Sequence, residues 1–136
     1  MRRTAYVSSV VLGVLLILGA LTTWIMVTNE LSQEKITVSE DASCLGGDDV
    51  NGPFSAYCQA LVIEKHARDA TGGLTYAEMD REDPLRQVAM NASFLRASLF
   101  TSVVAYGVAG MAALMGIVFI LIGFGMRDVG EKVGEI

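Results

Sequence analysis

Two long stretches of this sequence contain no charge. From Thr4 to Asn29, and again across the 30 residues from Ala97 to Met126, there is no Asp, Glu, Lys, Arg or His. Each run exceeds the roughly 20 apolar residues that a helix needs to cross a bilayer core. Proton relays, ion pathways and carriers of charged substrates place ionisable groups at membrane depth, so their absence argues against such a function for the single chain. Histidine is scarcer still: His66 stands alone. With one imidazole and no CxxC pair, a zinc site is not expected. Nucleophile-elbow, phosphate-loop and HExxH patterns are also missing. The glycines of LGGDD and TGG read as turns, and DVNG has too few aligned ligands for an EF-hand calcium loop. No basic, aromatic-rich surface points to nucleic acid.

What is present is mostly apolar. The 136 residues are 52% hydrophobic with a mean hydropathy of +0.47, too high for an ordinary soluble domain. The two charge-free runs predict transmembrane helices at 6–28 and 97–126. Arg2 and Arg3 before an apolar run have the opening of a secretory signal. However, the run outlasts a signal core of about 7–15 residues and ends in TTWIMVTNELSQEK without a small-x-small site. An uncleaved signal-anchor is expected.

Between the spans lies an acidic segment, 29–96. Residues 30–96 hold twelve acids against six bases, or −6; the tails, 1–5 and 127–136, hold four bases against three acids, or +1. Together these give the net charge of −5. Orientation follows Lys and Arg near the span ends. At the first span Arg2 and Arg3 face only Lys35; at the second, Arg86 and Arg96 nearly balance Arg127 and Lys132. The first span therefore places both termini in the cytoplasm and the acidic segment outside the plasma membrane. The only cysteines, Cys44 and Cys58, both fall in that segment. A disulfide between them would close a loop of about fifteen residues, worth about 3 kcal/mol in the loop-entropy view.

Within the segment, KITVSEDA alternates around Ile36 and Val38 and predicts a short extended piece. SCLGGDDVNGP reads as turns. Pro53 then opens a helix over 53–71, stopped by Gly72-Gly73, with Phe54, Tyr57, Cys58, Leu61 and Val62 predicted on one apolar face. Thr75 and Glu78 have capping-box spacing and predict a short helical turn. Asp83-Pro84 begins a further helix, and no proline interrupts it through the second span. Pro84 to Met126 would measure roughly 65 Å at 1.5 Å per residue.

The dense acids around His66 (Glu64, Asp69, Glu78, Asp80, Glu82, Asp83) invite a metal or acid–base reading. Each also has an ordinary role: Glu64 pairs with Arg68 at i, i+4, and Asp80, Glu82 and Asp83 favour the N-terminus of the helix that follows. A weak divalent-cation site at those last three acids is the alternative. In the spans, Ala105, Ala109, Ala112, Gly116 and Gly123 are spaced 4–3–4–7, and Ser9, Gly13, Ala20 and Thr23 are spaced 4–7–3. Such small-residue stripes let helices approach closely in lipid, either within the chain or against another membrane protein.

Several phrases resemble a known family: EKITVSEDA, VNGP, KHA, TYAEMDREDP and MNASFLRASLFTSVVAYGVA. They are similar to those of small actinobacterial membrane proteins widely labelled aromatic ring-opening dioxygenases of the LigA type, over nearly the whole chain. The label implies ring cleavage at ferrous iron held by two histidines and a carboxylate. With His66 alone, this chain cannot supply that set by itself.

The expected fold is an all-α membrane protein: an antiparallel hairpin of two transmembrane helices with a small, mostly helical extracytoplasmic module. The expected function is non-catalytic, an accessory, assembly or interaction subunit of a larger cell-envelope or respiratory membrane complex. The alternatives are a subunit of a ring-cleaving dioxygenase or an extracytoplasmic ligand or cation sensor. No cofactor, nucleic acid or small-molecule substrate is expected; the partners are the bilayer and other membrane proteins. The residues singled out are Cys44 and Cys58 for the disulfide and Ser9, Gly13, Ala20, Ala105, Ala109, Ala112 and Gly116 for helix packing. Asp80, Arg81, Glu82, Asp83 and Arg86 form the candidate partner surface.

Overall fold

The computed structural model describes residues 2–134; Met1, Glu135 and Ile136 of the expected tails, and the side chains of Arg2 and Glu131, lie outside the described residues. It contains three α-helices: α1 (Arg2–Gln33), α2 (Pro53–Ala70) and α3 (Arg86–Gly134), with no strand among the described residues. Both α1 and α3 are long and apolar enough to cross a membrane. The chain divides into two compact units, one of Met1–Met26 with Tyr106–Ile136, the other Val27–Ala105.

In the first unit, segments of α1 and α3 touch at residues with little or no side chain. A Cβ built on Gly13 would stand 2.5 Å from the Gly116 carbonyl oxygen, and one on Gly116 would stand 2.7 Å from that of Gly13. At Gly123 the space is filled by Val10, whose Cγ2 would lie 2.5 Å away. The Ser9 hydroxyl donates to the Phe119 carbonyl at 2.7 Å. Further along, the rings of Trp24 and Tyr106 meet edge-on, centroids 4.6 Å apart, and Tyr106 is almost fully buried. Ala20 and Ala109 are buried, while Ala112 is half-buried and Thr23 exposed. Most of the remaining surface is apolar: Val11, Leu15, Leu18, Val108, Leu114 and Leu121 are all exposed.

The second unit is built around α2. Ile36–Val38 lies alongside Asp48–Val50, with Val38 N donating to Asp48 O and Val50 N to Ile36 O, both at 2.8 Å. Thr37 and Asp49 form an isolated antiparallel bridge rather than a strand. Val38 and Val50 are each 1% exposed and form the inner side of this loop. A disulfide joins Cys44 to Cys58, Cα atoms 5.7 Å apart, and fixes the loop to α2. Nearby, the buried Gln59 accepts from the Ser39 amide through Oε1 at 3.1 Å. At the start of α2, Ser55 Oγ accepts from the amides of Asn51 and Gly52, supplying a cap that Gly52 cannot.

Three local expectations need correction. The inner face of α2 is Ser55, Ala56, Cys58, Gln59, Ala60 and Val62; Phe54 is 77% exposed and Tyr57 is exposed too. Small residues win this face because the loop carrying Cys44 must come close, and the aromatics rotate outward. Thr75 and Glu78 do bond each other, the carboxylate accepting from the Thr75 amide at 2.8 Å and its hydroxyl at 2.7 Å. They close a turn, however, and not a helix. Finally, α3 starts at Arg86, after a turn in which Asp83 Oδ1 accepts from Leu85 N at 2.8 Å. Helix α2 ends at Ala70 as its following glycines suggest, Gly73 reaching φ +91° and donating to Arg68 O. Ala105 falls in this unit and is half-buried.

Candidate functional site

The polar chemistry of the chain gathers on the outer face of the second unit, where the C-terminal half of α2 meets the loop before it and the start of α3. Three groups form there. In the first, Asp41 Oδ2 lies 2.7 Å from His66 Nε2 and 3.1 Å from Lys65 Nζ, all three side chains about half exposed. The hydrogen bond from His66, reinforced by that from Lys65, holds the Asp41 carboxyl below its ordinary value of 3.8.

In the second group one carboxylate holds two guanidiniums. Glu64 Oε1 lies 3.0 Å from Arg68 Nη2 within α2, and Glu64 Oε2 lies 2.6 Å from Arg96 Nη2 of α3. Glu64 and Arg96 are both about two-thirds buried. A cleft of about 70 Å³ adjoins them, bordered by Thr75, Tyr76 and Ser93, and the buried Arg96 Nε has no protein partner.

The third group is the predicted partner surface. Asp80, Arg81 and Glu82 are exposed, and Asp83 is half-exposed and committed to the turn before α3. Arg86 stacks over the Tyr76 ring at 4.1 Å and donates to the Met79 carbonyl, so it supports the turn from inside. Close by, the bonds from Thr75, its amide first, lower the Glu78 carboxyl below its ordinary value of 4.5.

Among the described residues no three His, Cys, Asp or Glu side chains are gathered as metal ligands, and Asp83 is engaged in the turn before α3. A two-histidine, one-carboxylate iron centre does not fit either: His66 is the chain's one histidine, and it is paired with Asp41. The cysteines are bonded to each other, leaving no free thiol. Of the sequence-derived ion pairs, Glu64 with Arg68 is present. The Asp41 pairing and the Arg96 partner of Glu64 were missed, because they join residues 25 and 32 positions apart, where helical spacing gives no signal. The small-residue contacts at Ser9, Gly13 and Gly116 lie in the other unit and form no part of this polar surface. Comparison with protein-family models, curated proteins and solved structures returns no match for the chain.

Proposed function

We propose that this chain is a two-span integral protein of the plasma membrane, folded as an antiparallel transmembrane hairpin. Both termini face the cytoplasm and the disulfide-bonded module faces outside. It acts without catalysis, as an accessory or assembly subunit that contacts another protein of a cell-envelope or respiratory complex. The observation that carries the reading is the exposed apolar surface of α1 and α3. Only 11% of the most apolar window of α1, and 17% of that of α3, is buried within the chain. The core helix of a soluble protein would be mostly covered; these helices need lipid or protein around them. A bonded pair of cysteines supports an oxidising compartment for the module. The exposed acids Asp80 and Glu82, with Arg81 between them, are the surface offered to a partner.

Isolation in mild detergent followed by mass spectrometry tests this. The expected result is one protein co-purifying in fixed ratio and lost when Asp80 and Glu82 are changed to Lys. A chain that is released from membranes by alkaline carbonate, or that purifies alone, would refute it. Iron content and catechol turnover of the same preparation, both expected to be absent, separate this reading from a ring-cleaving subunit.

A further inference from the structure

Within the unit Val27–Ala105, α2 touches α3 at two heights. Glu64 meets Arg96 at 2.6 Å, and the Tyr57 ring lies edge-on to that of Phe100, centroids 6.0 Å apart. Moving back along α2 from Glu64 to Tyr57 therefore moves forward along α3 from Arg96 to Phe100. That is the direction in which α3 enters its charge-free run, which begins at Ala97. The N-terminal end of α2 thus points the same way. Phe54 lies one turn beyond Tyr57, about 4.5 Å further at 1.5 Å per residue. It is 77% exposed, and Leu45, also exposed, lines the same shallow hollow.

We infer that the N-terminal end of α2 rests in the boundary between lipid headgroups and acyl chains, with Phe54, Tyr57 and Leu45 as its anchors. The inference rests on the membrane reading proposed above. Three observations select lipid as the occupant. The patch is continuous, through Tyr57 and Phe100, with the mouth of the charge-free run. Two of the three anchors, Phe54 and Tyr57, are aromatic, and Tyr gathers at this depth because an apolar body and a polar tip suit it. No lysine or arginine borders the hollow, whereas Asp48 and Asp49 do. The fitting surface is therefore zwitterionic phospholipid, not an anionic one.

Fluorescence quenching by brominated phosphatidylcholine tests this, with one chain per nanodisc. Trp24 is the only native tryptophan and reports on α1. Phe54→Trp adds a second indole at an exposed position, so the fold is not at risk, and its emission is the difference from wild type. The expected result is a blue-shifted added emission, lost more strongly to lipid brominated near the headgroup than to lipid brominated deep in the chains. If Trp24 is quenched and the added indole is not, the anchor is refuted while the membrane reading stands. That holds whether the added emission is red, as in water, or blue, as under a protein partner. If neither is quenched, the membrane reading fails and takes the anchor with it.

Discussion

Glu64 divides one carboxylate between two arginines, and the two contacts differ in what surrounds them. Arg68 is half exposed and one helical turn away, so its pair resembles any surface i, i+4 contact, worth a few tenths of a kcal/mol. Arg96 is less exposed and meets Glu64 through Nη2, while its buried Nε has no hydrogen-bond partner in the protein. Removing Glu64 takes away the carboxylate that Arg96 meets and leaves its guanidinium only the Phe100 ring, 5.8 Å from Cζ. Glu64→Gln is therefore expected to lower stability by about 1–3 kcal/mol, and Arg68→Ala by much less, in denaturant unfolding of the detergent-solubilised chain. Equal losses would show that the Arg96 contact adds nothing. Asp41 gives a pH prediction. Its folded-state pKa lies below the ordinary 3.8, so its stabilising contribution is complete above 3.8 and is lost only as pH falls through the lowered value. Thermal melts of wild type and Asp41→Asn should differ at pH 5 and converge as pH falls below 3.8 through the lowered value. Convergence already at pH 5 would contradict the lowered value. Residue spacing could reveal the Arg68 pair but neither Asp41 with His66 nor Glu64 with Arg96, since those contacts exist only once a loop and a second helix have been placed.

At the scale of whole elements, composition was the better guide. The first charge-free run and Pro53 with Gly72-Gly73 mark α1 and α2 to within a few residues, because the signals are local: hydropathy, a missing amide hydrogen, a positive φ; α3 instead continues past the second run to Gly134, into the expected tail. The outward face of α2 was not legible. Phe54 and Tyr57 are apolar at helical spacing, and periodicity alone cannot say that a disulfide at Cys58 and a buried Gln59 would rotate the inner face toward Ser55, Ala56 and Ala60, keeping only Cys58 and Val62 of the expected stripe. For the long helices, the glycines permit a comparison in which the sign changes. Alanine at Gly13 or Gly116 places a methyl within 2.7 Å of a carbonyl oxygen on the facing helix, so backbone has to move; overpacking of that kind costs about 1–3 kcal/mol. At Gly19 and Gly107 nothing lies within 4 Å, and alanine there removes glycine's entropic handicap, with an expected gain of roughly 0.5–1 kcal/mol. Melting by circular dichroism in one detergent compares all four variants; a uniform effect would mean that Gly13 and Gly116 are not a packing contact. The Cys44–Cys58 bond offers a further check. Reduction should cost about 3 kcal/mol of stability, and maleimide should label the native chain only after reductant is added. Immediate labelling would refute the bond.

For the whole molecule, orientation in the proposed membrane rests on few charges. At α1 the contrast is Arg2 and Arg3 against Lys35, whereas Arg86 and Arg96 at one end of the α3 run nearly match Arg127 and Lys132 at the other. The second span thus contributes little preference, and the first has to set the topology for both. Changing Arg2 and Arg3 to Gln should then produce a mixture of orientations, because nothing else in the chain strongly opposes inversion. Two reporters, one active only outside the cytoplasm and one only inside, can be fused after Gly47, in the exposed loop before α2, and at the C-terminus. The native chain should show an external Gly47 position and an internal C-terminus, and the double variant should show both signals at both positions. The disulfide is tied to the same outcome, since inverted chains hold Cys44 and Cys58 in a reducing compartment where the bond does not persist. In the double variant, the fraction of chains that maleimide labels without reductant should equal the fraction whose Gly47 reporter is internal. A native orientation preserved in full after loss of both arginines would overturn the charge argument, and an internal Gly47 in the native chain would overturn the topology itself.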